Sequence, residues 1–285
     1  MRSFRLALAL AASALPVTTA AQQAGPREGF FDSDGVRIRY VEQGSGAPVV
    51  LIHGFSVTPE LNWGLPGVFD GLAPSYRVIA LDLRGHGRSG KPHEASAYGA
   101  QFVEDVINLL DHLKVPRAHV VGYSLGGRIA LKLVTEHPDR VISGVIAGAG
   151  WSPQDRLPPA VELWGPGLER AVRGEATVSD VIKIPGAPPH TPEIRTALDA
   201  NDPRALLAIL RGSGGLAVTE PALRANPTPV LALVGAADSL ALGDVERMVG
   251  VKRNLEVVRI PGANHLTALL APLFGQSIAR FLGSH

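Results

Sequence analysis

Short apolar runs and helical periodicity alternate along most of the chain. Residues 36–42 place Val36, Ile38 and Tyr40 against Arg37 and Arg39, the two-residue period of a half-buried strand, and predict an antiparallel edge strand. Six later runs are mainly apolar without alternation: residues 48–52, 77–81, 118–121, 141–149, 229–234 and 255–260. Such runs suit parallel strands covered on both faces. Between them Val103, Val106, Ile107, Leu110 and Leu113 fall at helical spacing. Residues 125–136 predict a second helix, and residues 266–282 a C-terminal helix interrupted at Pro272. This alternation predicts an α/β fold with a mainly parallel sheet and helices on both faces. Residues 151–225 break the rhythm. They lack a buried-strand run, are rich in Pro and Gly, and carry two helix starts, Thr191-Pro192-Glu193 and Asp202-Pro203, each a capping residue followed by proline. They predict a small helical insertion, with an apolar face from Leu206, Leu207, Ile209 and Leu210.

Composition narrows what such a chain can do. Of 285 residues 46% are hydrophobic, and 27 Lys+Arg against 26 Asp+Glu give a net charge of +1, so a real core is available and disorder is excluded. The near-neutral charge offers no footprint for nucleic acid. With no cysteine, disulfides, thiolate metal sites and a cysteine nucleophile are excluded. The first 21 residues read as a secretory signal peptide: Arg2 and Arg5, then a small-apolar run over 6–15, Pro16, and small residues through Thr18, Thr19, Ala20 and Ala21. The run is short for a membrane anchor, the competing reading. Its removal would change the charge to −1, because Lys+Arg falls from 27 to 25. Export to the periplasm or medium is therefore expected, with a short linker over 22–27 and the folded chain within 22–285.

The chemistry centres on Gly122-Tyr123-Ser124-Leu125-Gly126, between a buried-strand run and a helix. This is the nucleophile-elbow pattern in the context it requires; a tight turn with an idle serine is the bland alternative. Gly122 and Gly126 remove side chains that would collide across a sharp turn, and the Leu125 amide opens the helix where its dipole favours negative charge. A serine needs a base. Nine histidines are present, and His265, in Pro261-Gly262-Ala263-Asn264-His265, follows a late strand at the edge where Ser124 sits. The acid that orients it is Asp238, at the end of the preceding strand run, with Asp244 the fallback. The second oxyanion donor is expected from His53-Gly54-Phe55, through the Phe55 amide, with His53 buttressing the loop. The cluster from Asp82 to Ser89 holds Asp, His and Ser together, but Ser89 lacks a glycine two positions on. A turn tied by Asp82 and Arg84 is the better reading.

With these residues the sequence resembles the α/β-hydrolase superfamily, in particular its serine esterase/lipase-like branch with a helical cap. The resemblance covers about residues 28–285 and rests on His53-Gly54-Phe55, Asp82 through Ser89, Gly122 through Gly127, and Asp238 with His265. It implies an eight-stranded sheet, a core over 28–150 and 226–285, and a cap over 151–225. It also implies a carboxylic-ester hydrolase working through an acyl-enzyme, with no cofactor and no metal. The base often follows two glycines in relatives; here it follows Ala263-Asn264. A serine nucleophile disfavours the dehalogenases and epoxide hydrolases of the superfamily. Carbon–carbon bond hydrolysis, lactonase and perhydrolase chemistry share the template, and a non-catalytic small-ligand receptor is a further alternative. The expected partner is a small, largely apolar ester, with no nucleic acid and no stable membrane anchor. No basic cluster points to a charged substrate. Trp151, Leu157, Val161, Leu163, Trp164, Leu206 and Leu210 are candidate pocket residues that could equally pack the cap, and Tyr123 is ambiguous in the same way.

Overall fold

The computed structural model describes residues 25–152 and 159–285. The predicted leader over 1–21 and the candidate pocket residue Leu157 lie outside the described residues. Eight strands are present: β1 (Arg27–Ser33), β2 (Val36–Gln43), β3 (Ala47–Ile52), β4 (Tyr76–Leu81), β5 (Ala118–Tyr123), β6 (Val141–Ala147), β7 (Val230–Gly235) and β8 (Leu255–Ile260). They form one sheet in the order β1-β2-β4-β3-β5-β6-β7-β8, antiparallel at β1–β2 and β2–β4 and parallel elsewhere.

Two sequence readings are corrected at the N-terminal edge. Residues 36–42 form no edge strand; β2 lies inside β1, pairing Arg27 with Glu42 through Ser33 with Val36. The linker expected over 22–27 therefore ends before Arg27. The apolarity of β1 is confined to Phe30 and Phe31, because only its last part is covered. The usable signal was Asp34-Gly35, whose positive φ values (52° and 80°) make the two-residue hairpin turn that Asp-Gly favours.

Alternate residues of each central strand face different helical layers, which is why the runs are apolar throughout. Val50, Ile52, Val120 and Ile146 pack with α2 (Gln101–His112) and α3 (Leu125–Glu136), while α1 (Val68–Leu72) covers Val49, Leu51, Val121 and Val145 on the opposite face. From β6 the chain leaves the sheet and forms α4 (Pro159–Val172), α5 (Val178–Val181), α6 (Pro192–Asp199), α7 (Pro203–Gly212) and α8 (Glu220–Ala225) before β7. Thr191 and Asp202 cap α6 and α7 through their side chains, with proline in the first turn, as their sequence predicts. α4 holds Gly165, Pro166 and Gly167 within its length. There Gly167 admits Val181 of α5, which a Cβ would meet at 2.6 Å. After β7 come α9 (Leu242–Met248), β8, α10 (Thr267–Leu270) and α11 (Pro272–Leu282). The predicted C-terminal helix is thus two helices. Ala271 is extended (φ −73°, ψ 132°) because proline disfavours a helical predecessor, and Pro272 starts α11, which joins α1 on its face of the sheet. Among the described residues no helix is long and apolar enough to cross a membrane.

Candidate active site

The sheet delivers the chain at Tyr123 into α3 with almost no intervening turn. Ser124 sits at the junction with φ 54° and ψ −113°, a conformation that costs a non-glycine residue about 1–3 kcal/mol. Its neighbours hold it there. The Ser124 amide donates to the Ala147 carbonyl at 2.8 Å. A Cβ on Gly122 would strike the Gly126 carbonyl, and one on Gly126 would strike the Ile52 carbonyl of β3. Those two glycines let the elbow close against the adjacent strand. The Leu125 amide is the first of α3, where no preceding helical turn supplies an acceptor.

Ser124, Asp238 and His265 come together from three separated segments. His265 Nε2 lies 3.0 Å from Ser124 Oγ, and His265 Nδ1 lies 2.8 Å from Asp238 Oδ2. Asp238 is fully buried, and its other oxygen accepts the Leu240 and Ala241 amides at 3.0 and 3.1 Å. Those two bonds fix the carboxylate so that Oδ2 faces the imidazole. Asp244 does not reach this position. It pairs with Arg247 one turn on in α9 and takes a hydrogen bond from Ser152 at 3.3 Å. The loop carrying His265 is tied at both ends: Ala263 accepts the Ala237 amide, and the Asn264 side chain accepts the Leu266 and Thr267 amides while donating to Gly186. Asn264 is thus the clamp that leads into α10. Tyr123 contributes through its hydroxyl, which donates to the His265 carbonyl. Burial, with the Asp238 carboxylate adding to it, pushes that phenol well above its ordinary pKa and keeps it a donor.

The His53–Phe55 loop lies against the elbow, since a Cβ on Gly54 would touch the Ser124 Cβ at 3.4 Å. Phe55 and Leu125 line one chamber with Ser124 and His265. Four bonds fix the loop. The Gly54 amide donates to Asn62 Oδ1 at 3.0 Å, and His53 Nε2 accepts the Leu83 amide at 3.0 Å. His86 Nε2 accepts the Ser56 amide at 3.1 Å, and Asn201 donates to the Ser56 carbonyl at 3.0 Å. Asn62 and Asn201 were not found from sequence, because isolated asparagines carry no positional signal. The Asp82–Ser89 segment is a structural turn: Asp82 pairs with Arg39 at 3.1 Å and accepts the Arg88 amide, while Arg84 pairs with buried Asp105 at 2.6 Å. Its His86 buttresses the His53–Phe55 loop through the Ser56 amide.

A backbone amide can only donate, so His53 and His86 each present an unprotonated Nε2 and carry their proton on Nδ1, facing the Gly54 and Arg84 carbonyls. Burial depresses both pKa values, that of His86 well below 6.5, with the neighbouring His53 ring adding to its shift. An unfolded histidine titrates near 6.5, so as pH falls the unfolded chain binds these protons first. The stability the neutral rings contribute is complete above about pH 6.5 and is lost progressively below it. His86→Gln is expected to lose about 1–2 kcal/mol less unfolding free energy than the native protein between about pH 7.5 and pH 5, read by urea unfolding. Equal losses would remove His86 as a source of acid sensitivity.

Two chambers meet at Ser124 and His265. The larger, about 340 Å³, is almost wholly apolar, lined by Leu61, Ile182, Ile184, Ile194, Leu198 and Leu269 among others. The smaller is about 90 Å³. The rings of Phe55 and Trp164, stacked at 5.6 Å and 8°, line both. Among the cap candidates Trp164 lines both chambers and Leu210 the smaller one. Leu163 is exposed, Leu206 is buried in the core, Val161 packs against it, and Trp151 is buried with its indole donating to Val218. The apolar wall comes instead from the segment just after α5, with Ile182 and Ile184, and from α6 and α10, short stretches whose pocket-facing residues have no distinctive spacing.

Comparison with known proteins agrees with this architecture. The alpha/beta hydrolase fold family profile matches residues 47–181. A putative non-heme haloperoxidase from Mycobacterium phage D29 is 30% identical over 248 residues, covering 81% of this chain and 83% of that protein. The chain belongs to the α/β-hydrolase family. A hydrolase from Pseudomonas aeruginosa PA01 superposes with a TM-score of 0.73 at 26% identity, covering 93% of this chain and all of the other. A 2-hydroxymuconate semialdehyde hydrolase from Pseudomonas sp. (strain CF600) is 40% identical over 117 residues, 40% of this chain and 41% of that enzyme. Matches of this higher identity are partial: four curated relatives at 36–44% identity are spanned over only 30–42% of their length.

Proposed function

We propose that this protein is a serine hydrolase that cleaves a carboxylic ester of a small, largely apolar substrate through an acyl-enzyme. The observation that carries this reading is the connected line Ser124 Oγ, His265 and Asp238 at 3.0 and 2.8 Å, opening onto an apolar chamber of about 340 Å³. In this reading His265 Nε2 takes the Ser124 proton as Oγ bonds to the ester carbonyl carbon. The oxygen that gains charge faces the Phe55 and Leu125 amides, whose dipoles are fixed before reaction. Asp238 holds the His265 proton on Nδ1 and stabilises the imidazolium. His265 then gives the proton from Nε2 to the leaving alkoxide as the C–O bond breaks. A water attacks the acyl carbon, its proton passes to His265, and Ser124 recovers a proton as the acid leaves. Every proton in this sequence is held by a named residue or by water.

A p-nitrophenyl ester series of increasing acyl length tests this. Each methylene that enters the chamber contributes about 0.8 kcal/mol, so kcat/KM is expected to rise about fourfold per carbon until the space is filled. Failure to hydrolyse any ester would overturn the reading. Cleavage of a vinylogous 1,5-diketone in its place would favour carbon–carbon bond hydrolysis, the alternative supported by the similarity to 2-hydroxymuconate semialdehyde hydrolase.

A further inference from the structure

The smaller chamber differs from its neighbour in chemistry. Its lining includes Arg128, Ser152, Ser213 and Asp244 beside Ser124 and His265. Arg128 lies on α3 one turn beyond the nucleophile, its amide donating to the Ser124 carbonyl at 3.1 Å. Helical side chains lean toward the N-terminus of their helix, so the Arg128 side chain leans back toward Ser124. Asp244 also faces the chamber, but it is engaged by Arg247 and Ser152.

Arg128 is poorly satisfied for a group in such a place. A guanidinium carries five N–H donors. Among the described residues the Arg128 side chain makes one hydrogen bond, a long 3.4 Å contact from Nη2 to the Ser213 carbonyl. It makes no close ion pair there; Asp244 acts on it only at longer range. Burial makes its charge costly, lowering its pKa against the opposing pull of Asp244. A half-buried cation that lines the chamber beside Ser124, with most of its donors directed at no protein acceptor among the described residues, is placed to take an anion. The planar fork of arginine matches a carboxylate bidentately.

We propose that Arg128 is a substrate-binding residue that holds a carboxylate, so that the substrate carries an anionic group on one side of the scissile bond and an apolar group on the other. This deepens the ester-hydrolase reading and rests on it for the reaction, but not for the binding. It also accounts for the division at Phe55 and Trp164: the apolar portion enters the larger chamber, and the short acidic portion enters the smaller one. A sequence scan for basic clusters misses such a residue, because a single arginine on the helix after the elbow adds no charge density.

Two matched pairs of esters test the proposal, with the carboxylate first in the acyl part and then in the alcohol. The pairs are monobutyl succinate against butyl 4-methylpentanoate, and O-butanoylglycolate against isobutyl butanoate. In at least one pair the native protein is expected to prefer the anion by about 10- to 100-fold in kcat/KM, the range of a charge-assisted hydrogen bond. Arg128→Gln should bring that ratio to about one, and Arg128→Lys should retain part of it. The ratio is independent of the folded fraction. The proposal is overturned if neither pair favours the anion, or if Arg128→Gln leaves the ratio unchanged. Calorimetric titration of Ser124→Ala with monobutyl succinate and O-butanoylglycolate separates binding from chemistry. Binding that Arg128→Gln abolishes, with no ester turned over by the native protein, would sink the reaction reading and leave the carboxylate site standing. No binding of either anion would sink the site.

Discussion

Ser124→Ala is expected to lower kcat for the best ester about 10⁶-fold, the cost that the proposed role of Ser124 as nucleophile of a triad working as a unit implies. The fold should survive, because the backbone bonds that shape the elbow do not use the hydroxyl: the Ser124 amide to Ala147, and the Arg128 amide to the Ser124 carbonyl. The lost group is the oxygen 3.0 Å from His265 Nε2. Initial rates with a p-nitrophenyl ester, alongside thermal unfolding of both proteins, check this. A loss below about tenfold in folded protein would mean that another group attacks the carbonyl.

Asp238→Asn is expected to lower kcat about 10⁴-fold with little change in KM, through the tautomer of His265. Asp238 Oδ1 accepts two backbone amides, from Leu240 and Ala241. An asparagine keeps those bonds only by placing its carbonyl oxygen there, which turns its NH₂ toward His265 Nδ1. A donor now faces Nδ1, so the imidazole proton moves to Nε2, and Nε2 can no longer accept from Ser124. The geometry is preserved while the base is disabled. A KM rise with kcat unchanged would assign Asp238 to substrate binding instead.

The parts of the site that were legible in sequence are those with a local mechanical cause. An elbow whose first helical turn closes against the end of β5 and against β3 leaves no room for a Cβ at Gly122 or Gly126, so the residue types announce the turn. Asp238 and His265 were legible because parallel strands deliver their C-terminal ends to one edge, and each residue closely follows such an end. The capped helices at Thr191 and Asp202 were legible for the same reason, since proline and a capping side chain act within one turn.

Features set by tertiary approach were not legible. β1 is covered only in its last part, so its residues do not show the period of a strand. The roles of Asn62, Asn201 and His86 depend on which backbone amide or carbonyl folding brings to them, across sequence separations of 8, 145 and 30 residues. The pocket walls come from the segment after α5 and from α6 and α10, where the sequence pattern shows only that some face is apolar. Whether that face meets the core or a cavity is decided by the layer opposite it. Arg128 illustrates the same limit for charge, because the role proposed for it rests on how few of the described residues pair with it.

The identity of the nucleophile is tested most directly by reaction with a fluorophosphonate, followed by mass spectrometry of the digested protein. One adduct is expected, on the peptide containing Ser124 and on Ser124 itself, and it should disappear in Ser124→Ala. An adduct on another serine, such as Ser89 or Ser152, or no adduct in folded protein, would contradict Ser124 as the nucleophile.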